Sequence, residues 1–501
     1  MHKLFKTPFF IISCLLLACT SIVHADDDTY DLWYTVLMSG QPSGYSHQSS
    51  QRTANGNLLL QTQTQITIAR QAIKITIQMD TTFEESPEGK PLRGSLTQTL
   101  GTMKMIQKYT FNKDGSISMT SEQNGQVIQQ ELPTPTQKWL TPTQAQKYVL
   151  DQLAKGQKEI RFRTIEPASG PQPITINMKY IGQQTVQVIG KVVPATQWEM
   201  STSLMPGMIT QAWTNDKMIP IKTSMTPMPG MEMEVLLSDK NLATQQVNPP
   251  ELLISTMIHP NKPIPNPRSL KQATYELIIK PSAAGEPQVL RDRFIQTGSQ
   301  RVKWINDHRV QITVNAKSQV LEGEAVPDAG HLKATPVLNH QDPQIKQAII
   351  RALGAHWDQI TPMERALKLR QFVHTEINSK DLSVGFATAS EVIRTQQGDC
   401  SEHGVLLAAM LRGVAIPSRV VSGLIYVDEF LGQKNIFGYH MWTQAWIDGQ
   451  WVDLDATILN VFDAAHIAMV VSSAGQGQTL NDMVKLTPLI GRLSINVLSV
   501  R

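Results

Sequence analysis

From about Leu32 to Leu242 the chain alternates apolar and polar residues, and that period of two limits its possible folds more than any other feature. Ile73, Ile75, Ile77 and Met79 alternate with Lys74, Thr76, Gln78 and Asp80, and Ile174, Ile176, Met178 and Tyr180 repeat the pattern. Successive side chains of a strand point to opposite faces, so each run has one apolar and one polar face. Such strands belong to antiparallel sheets, packed on one side and open on the other. Asn55-Gly56, Asn124-Gly125 and Asn215-Asp216 supply turns between them. The expectation for 26–250 is an open, curved antiparallel sheet with an apolar groove. One helix near Thr141 to Leu153, capped by Thr143, interrupts it.

Within this region, residues 200–233 hold eight of the 21 methionines, and Met-Pro-Gly-Met occurs at 205–208 and 228–231. Pro-Gly suits a type II turn, because glycine accepts positive φ. Thioether sulfur is a soft ligand that suits copper, but pliable packing is the simpler use of so many methionines. No cofactor or metal is expected. Pro260, Pro263, Pro265 and Pro267 mark 251–270 as a stiff linker. A small β segment follows over 271–340, with Tyr275, Leu277 and Ile279 in alternation and then Val310 to Val314.

The period changes over 341–475. Thr361-Pro362-Met363-Glu364 reads as a helix start: threonine caps, proline takes the first helical position and glutamate closes a capping box. Leu367, Leu369, Phe372 and Val373 give it an apolar face. A short helix near Ser390 to Arg394 comes next. Another runs over 400–412 and stops at Gly413, with strands from Arg419 onward and a β extension over 476–501.

The N-terminus bears on the cysteines. Lys3 and Lys6, an apolar run from Pro8 to Ala18 and Val23-His24-Ala25 match an export signal over 1–25. Leu16-Leu17-Ala18-Cys19 offers the alternative of a lipoprotein box, with a lipid anchor on Cys19 and a membrane-anchored product. Either way the mature protein is expected in the periplasm or secreted. No later stretch approaches the roughly 20 apolar residues of a membrane-spanning helix. Of the three cysteines, Cys14, Cys19 and Cys400, cleavage before Asp26 leaves only Cys400, so no internal disulfide can form. The formal net charge of +3 comes from scattered residues, which speaks against a nucleic-acid partner.

Cys400 opens a helix, where the dipole and unpaired N–H groups favour a thiolate and can hold an oxyanion. Downstream, Asp448-Gly449 between alternating strands signals a type I′ hairpin. With those two residues as the loop, Ile447 pairs with Gln450, Trp442 with Asp455 and His440 with Thr457. His440 and Asp455 are then diagonal neighbours on one face. A thiol, an imidazole and an orienting carboxylate are the parts of an acyl-transfer site. Asp453 shares the face but lies opposite Gln444, and reads as a surface carboxylate. Trp442, Trp446 and Trp451 are on the same face, at least two of them as core. His403 and Arg419 read as structural, the latter paired with a carboxylate. Gln396 or Gln397 is a candidate oxyanion donor.

These motifs resemble the transglutaminase-like superfamily in its bacterial exported form. The resemblance runs over roughly 340–475. It rests on Ala389-Ser390-Glu391-Val392, Gly398-Asp399-Cys400-Ser401-Glu402-His403, Gly413 through Gly423, His440-Met441-Trp442 and Trp451 through Thr457. Ala456 departs from the proline usual after the aspartate. The resemblance implies an α+β, papain-like core, its cysteine helix packed on an antiparallel sheet, behind a large antiparallel β-rich domain. It also implies nucleophile Cys400, base His440 and orienting Asp455. Trp33-Tyr34 and Gly44-Tyr45-Ser46-His47 further resemble the β domain that precedes this core in bacterial relatives. The implied function is an exported thiol enzyme acting on protein or peptide amides, a cell-wall peptide among the candidate substrates. Hydrolysis is favoured over crosslinking. The alternative is a non-catalytic envelope binding protein that uses the β-rich domain, with the core as scaffold.

Overall fold

Alternation over the first half of the chain produces one antiparallel sheet of fourteen strands. The computed structural model describes residues 29–70, 73–100, 103–123, 126–204, 208–228, 231–251, 254–281, 290–379, 387–473, 486 and 489–501. The expected signal segment with Cys14 and Cys19, the Asn124-Gly125 turn and Pro-Gly of both methionine repeats lie outside them. Two compact units divide the chain, Phe9–Glu251 and a second running from Leu252 to Arg501.

In the first unit, eight strands meander from Tyr30–Met38 to Gln126–Leu132, each paired with the one before. The chain then crosses through the helix Pro142–Ala154 to Glu159–Ile165 at the opposite edge. Six strands meander back until Met231–Ser238 pairs with Tyr30–Met38. The first and last strands are therefore neighbours. Ala145 and Val149 of the helix pack on Ile160, Phe162, Ile176 and Trp198 of the sheet. Thr141 caps this helix, in place of the expected Thr143, because Pro142 fixes the first helical position one residue earlier. Thr143 instead bonds the Glu85 carboxylate. Met225, Met231 and Met233 are buried in the sheet, as pliable packing requires.

A cavity of about 110 Å³ lies beside the helix, lined by Met79, Phe162, Ile176 and also by Gln48 and Glu166. An apolar groove was expected in this domain; this cavity also has a buried carboxyl in its lining. Burial pushes Glu166 up to about 7, against the opposing hydrogen bond from the Ala168 N–H at 3.1 Å.

The second unit is a small α+β core. Helices Pro343–Leu353, Pro362–Glu376, Ala389–Thr395 and Cys400–Gly413 are capped by Asp342, Thr361, Thr388 and Asp399. The Cys400 and Pro362 helices pack against a four-stranded antiparallel sheet ordered Gln450–Leu454, Gln433–Ile447, Ser418–Phe430, His466–Ser472, and the other two pack on the Cys400 helix. The small β segment and the C-terminal extension, expected as separate regions, make one further sheet: Leu493–Val500 pairs with Gln272–Ile279. Tyr275, Leu277 and Ile312 of that sheet share a core with Leu424, Phe437 and Ile467. Nor does the proline-rich stretch hang free. Ile258 exchanges backbone hydrogen bonds with Phe437, and Ile264 is buried with its N–H on the Tyr426 hydroxyl at 3.0 Å. Proline stiffens this segment, while its apolar isoleucines bind it to the core.

Candidate active site

Cys400 is the first residue of its helix and is half-buried. Gly398 fixes that start. Its φ is +152°, and a Cβ there would come within 2.2 Å of the Glu402 Cβ. Asp399 accepts from the Ser401 N–H at 3.0 Å, and Glu402 returns the bond from the Asp399 N–H at 2.9 Å. This capping box also takes up the Glu402 N–H. The expectation that the first turn offers several N–H groups to an oxyanion is therefore corrected, since Asp399 occupies those of Ser401 and Glu402. Burial pushes Glu402 up to about 8, with Asp399 beside it acting in the same direction.

One turn along the same helix face, Gly404 meets the Met441 side chain and the Trp442 backbone, and its carbonyl accepts from Thr443 Oγ1 at 2.9 Å. The Cys400 face of the helix is thus the face against the His440 strand. His440 is held on that strand opposite Gly423. A Cβ at Gly423 would lie 2.1 Å from the Ile467 carbonyl oxygen and 2.9 Å from the Trp442 ring. Glycine here lets the indole lie flat, 6.0 Å from the His440 ring.

The Asp448-Gly449 turn has φ of 51° and 78°, the two positive values of a type I′ turn. Ile447 pairs with Gln450 and Gln444 with Asp453. The ladder ends at Thr443 and Leu454, so Asp455 is not paired with Trp442 as the extrapolated register had it. The chain turns away, and the Asp455 N–H bonds the Val461 carbonyl at 2.7 Å. Asp455 nevertheless reaches His440: Nε2 stands 2.8 Å from Oδ2. That contact leaves His440 Nδ1 as the other ring nitrogen. Burial would push the Asp455 carboxyl up, but His440 and His466 together hold it well below the usual carboxylate range.

The second histidine was not foreseen. His466 Nε2 lies 3.1 Å from the same Asp455 oxygen, and its Nδ1 lies 3.0 Å from both the carbonyl and Oδ1 of Asp463. Asp463 is ion-paired with Arg268 at 2.9 Å. His440, Asp455 and His466 each bring one ligand atom within 4.8 Å of the others, the one such grouping of His, Cys, Asp and Glu among the described residues. Separations of 2.8 and 3.1 Å are those of hydrogen bonds. Arg370 was also missed. Its guanidinium donates to the carbonyls of Asp455, Leu459 and Asn460, each at 2.7 Å, and to that of Ile458, holding the loop after Asp455. A basic residue inside the apolar pattern Leu369, Phe372, Val373 was the available signal.

The remaining candidates are structural. Asp453 is buried, not at the surface: Trp442 Nε1, Gln444 Nε2 and Ser299 Oγ donate to it at 2.7, 2.8 and 2.7 Å. His403 is buried, with Nδ1 2.6 Å from the Asp399 carbonyl. Arg419 bonds Glu324 at 2.8 Å and Gln444 at 2.7 Å, and stacks on Trp451. Trp442 and Trp451 are core, while Trp446 is half-buried. Gln396 Nε2 donates to Glu376 at 3.1 Å, away from an oxyanion-donor role.

Residues 353–456 match the family model of the Transglutaminase-like superfamily. The match ends before Asp463 and His466. No curated protein matches the chain. Among solved structures, a beta-barrel-like protein of a domain of unknown function from Brucella abortus is 13% identical, covering 42% of this chain and 96% of that one, with a TM-score of 0.31. A candidate cysteine protease from Cytophaga hutchinsonii is 15% identical over 45% of this chain and 83% of that one, with a TM-score of 0.25. A candidate protease from Parabacteroides distasonis is 11% identical over 72% and 68%, with a TM-score of 0.18. Scores this low leave the assignment to the family model and the site itself.

Proposed function

The chain carries a transglutaminase-like superfamily domain, and from that premise we propose that it is a thiol acyl-transfer enzyme acting on protein or peptide amides. One observation carries the reading. A half-buried cysteine starts a helix whose face meets the His440 strand, and His440 is bonded at 2.8 Å to the buried Asp455. Cys400 Sγ attacks the amide carbonyl carbon. Its proton, already on His440 Nδ1 in a thiolate–imidazolium pair, passes from there to the leaving amine as the C–N bond breaks. A thioester remains on Cys400. Water, deprotonated by the same imidazole, adds to the thioester and expels the thiolate, releasing a carboxylic acid. Asp455 orients the ring and stabilises its protonated form.

Hydrolysis is favoured over transfer to an amine, because water reaches a half-buried thiol more readily than a second protein chain does. The protein acts outside the cytoplasm, in the periplasm or beyond it, with peptides of the cell wall among its candidate substrates. A thiol-directed activity probe should label the wild type and spare Cys400→Ala. Equal labelling of both would remove the nucleophile. Mass spectrometry of envelope proteins and peptidoglycan fragments, with and without active protein, then separates the reactions. New carboxyl ends mark hydrolysis, and isopeptide bonds mark transfer.

A further inference from the structure

We propose that His466 is a positioning residue of this site: an imidazolium that shares the Asp455 Oδ2 with His440 and takes up part of its negative charge. The proposal rests on the acyl-transfer reading above. His466 is wholly buried, and both ring nitrogens face acceptors. Nε2 faces the Asp455 carboxylate at 3.1 Å, and Nδ1 faces the carbonyl and carboxylate oxygens of Asp463 at 3.0 Å. A neutral imidazole carries one N–H, so it would set a lone pair against an oxygen on one side. Only the doubly protonated ring satisfies both sides.

The groups facing His466 are few. Asp455 and Asp463 lie at its two nitrogens, and Phe462 and Trp442 wall the ring at 4.6 and 5.2 Å. Through the two carboxylates it meets His440 and Arg268. The Arg370 guanidinium sits on the Asp455 carbonyl. Charges therefore alternate along Asp455, His466, Asp463 and Arg268. His440 consequently faces a carboxylate already shared with a cation, with the two imidazole rings 5.8 Å apart. Such sharing fixes the carboxylate without letting it hold the His440 proton too strongly for release to the leaving amine.

The test follows alkylation of Cys400 by iodoacetamide against pH in the full chain, which needs no substrate. In the wild type a thiolate–imidazolium pair gives a reactive plateau that ends at an upper transition. His466→Gln keeps a donor toward Asp455 and removes the charge. Its upper transition is expected to move to higher pH by about one unit, the order of effect of one charge at this range. Superimposed profiles would overturn the proposal and leave the nucleophile intact. An ordinary thiol profile in the wild type would remove the acyl-transfer reading and this proposal with it. Nitrogen NMR of the wild-type histidine rings gives an independent readout, should the variant fold poorly. His466 doubly protonated at pH 7 supports the assignment, and a single protonated nitrogen there overturns it.

Discussion

Two aspartates two residues apart have opposite duties, and one substitution at each separates them. Asp455→Asn keeps the size of the group at His440 and removes its charge. It is expected to lower kcat by roughly 10³–10⁴-fold, and to lower the melting temperature as well, because His466 loses one of its two carboxylates. Asp453→Asn leaves a buried site built for three donors with an amide, and should cost about 2 kcal/mol of stability while kcat falls far less. Steady-state kinetics beside thermal unfolding decides both. His466 adds a pH signature. Burial favours its neutral ring, but Asp455 and Asp463 prevail and raise it to about 9. Its stabilisation is complete below an ordinary histidine value and is lost as pH rises through about 9, some ~3 kcal/mol in all. Unfolding titrations of the wild type should show that loss, and His466→Gln should not. Cys400 and His440 were readable because a helix cap and a two-residue turn are local signals, whereas Asp455 reaches His440 without the pairing that the turn implied. His466 was not readable, since it lies 11 residues beyond Asp455 through an irregular loop with no period to extrapolate.

At the scale of elements, the start of the Cys400 helix is the most sensitive join. Gly398→Ala must move either Glu402 or the backbone, because 2.2 Å is no contact a Cβ can keep. With positive φ added, the expected cost is about 2–4 kcal/mol, and thiol labelling should fall even in the folded fraction. The helix starts at Thr361 and Cys400 and the type I′ turn were all legible, since each is decided by three or four adjacent residues. Register was legible only as far as the ladder extends. Beyond Leu454 the backbone leaves the sheet, while the His440 strand stays paired with Ser418–Phe430, and Arg370 from a distant helix sets the path of the following loop. The cap at Thr141 went unseen because Thr143 competes for the same role in sequence and is recruited by Glu85.

Across whole units, the β-rich half and the α+β half were legible in the sequence, but not the pairings that close them. Gln272–Ile279 and Leu493–Val500 meet through residues such as Glu276 and Asn496, 220 positions apart, and no short pattern encodes that. Deleting 493–501 should unfold the second unit, which far-ultraviolet circular dichroism would register as loss of a cooperative transition. In the first unit Glu166 opposes folding at neutral pH. Its carboxyl is raised to about 7, so the cost appears as pH climbs from the ordinary glutamate range through 7. Glu166→Gln should therefore stabilise that unit by up to ~3 kcal/mol at pH 8 and by little at pH 4.5.

The adjacency of Tyr30–Met38 and Met231–Ser238 has a bearing on how the chain is made. Thr35 and Ser238 touch across 203 residues, so a chain growing from its N-terminus carries an unpaired strand edge until the last strand emerges. Each flanking meander can zip locally in the meantime, but the seam between them closes last, by the slowest kind of contact. The nascent sheet is thus a template without its partner for most of its synthesis. Tyr34, Val36 and Met38, buried in the finished sheet, would be the residues a holding chaperone has to cover.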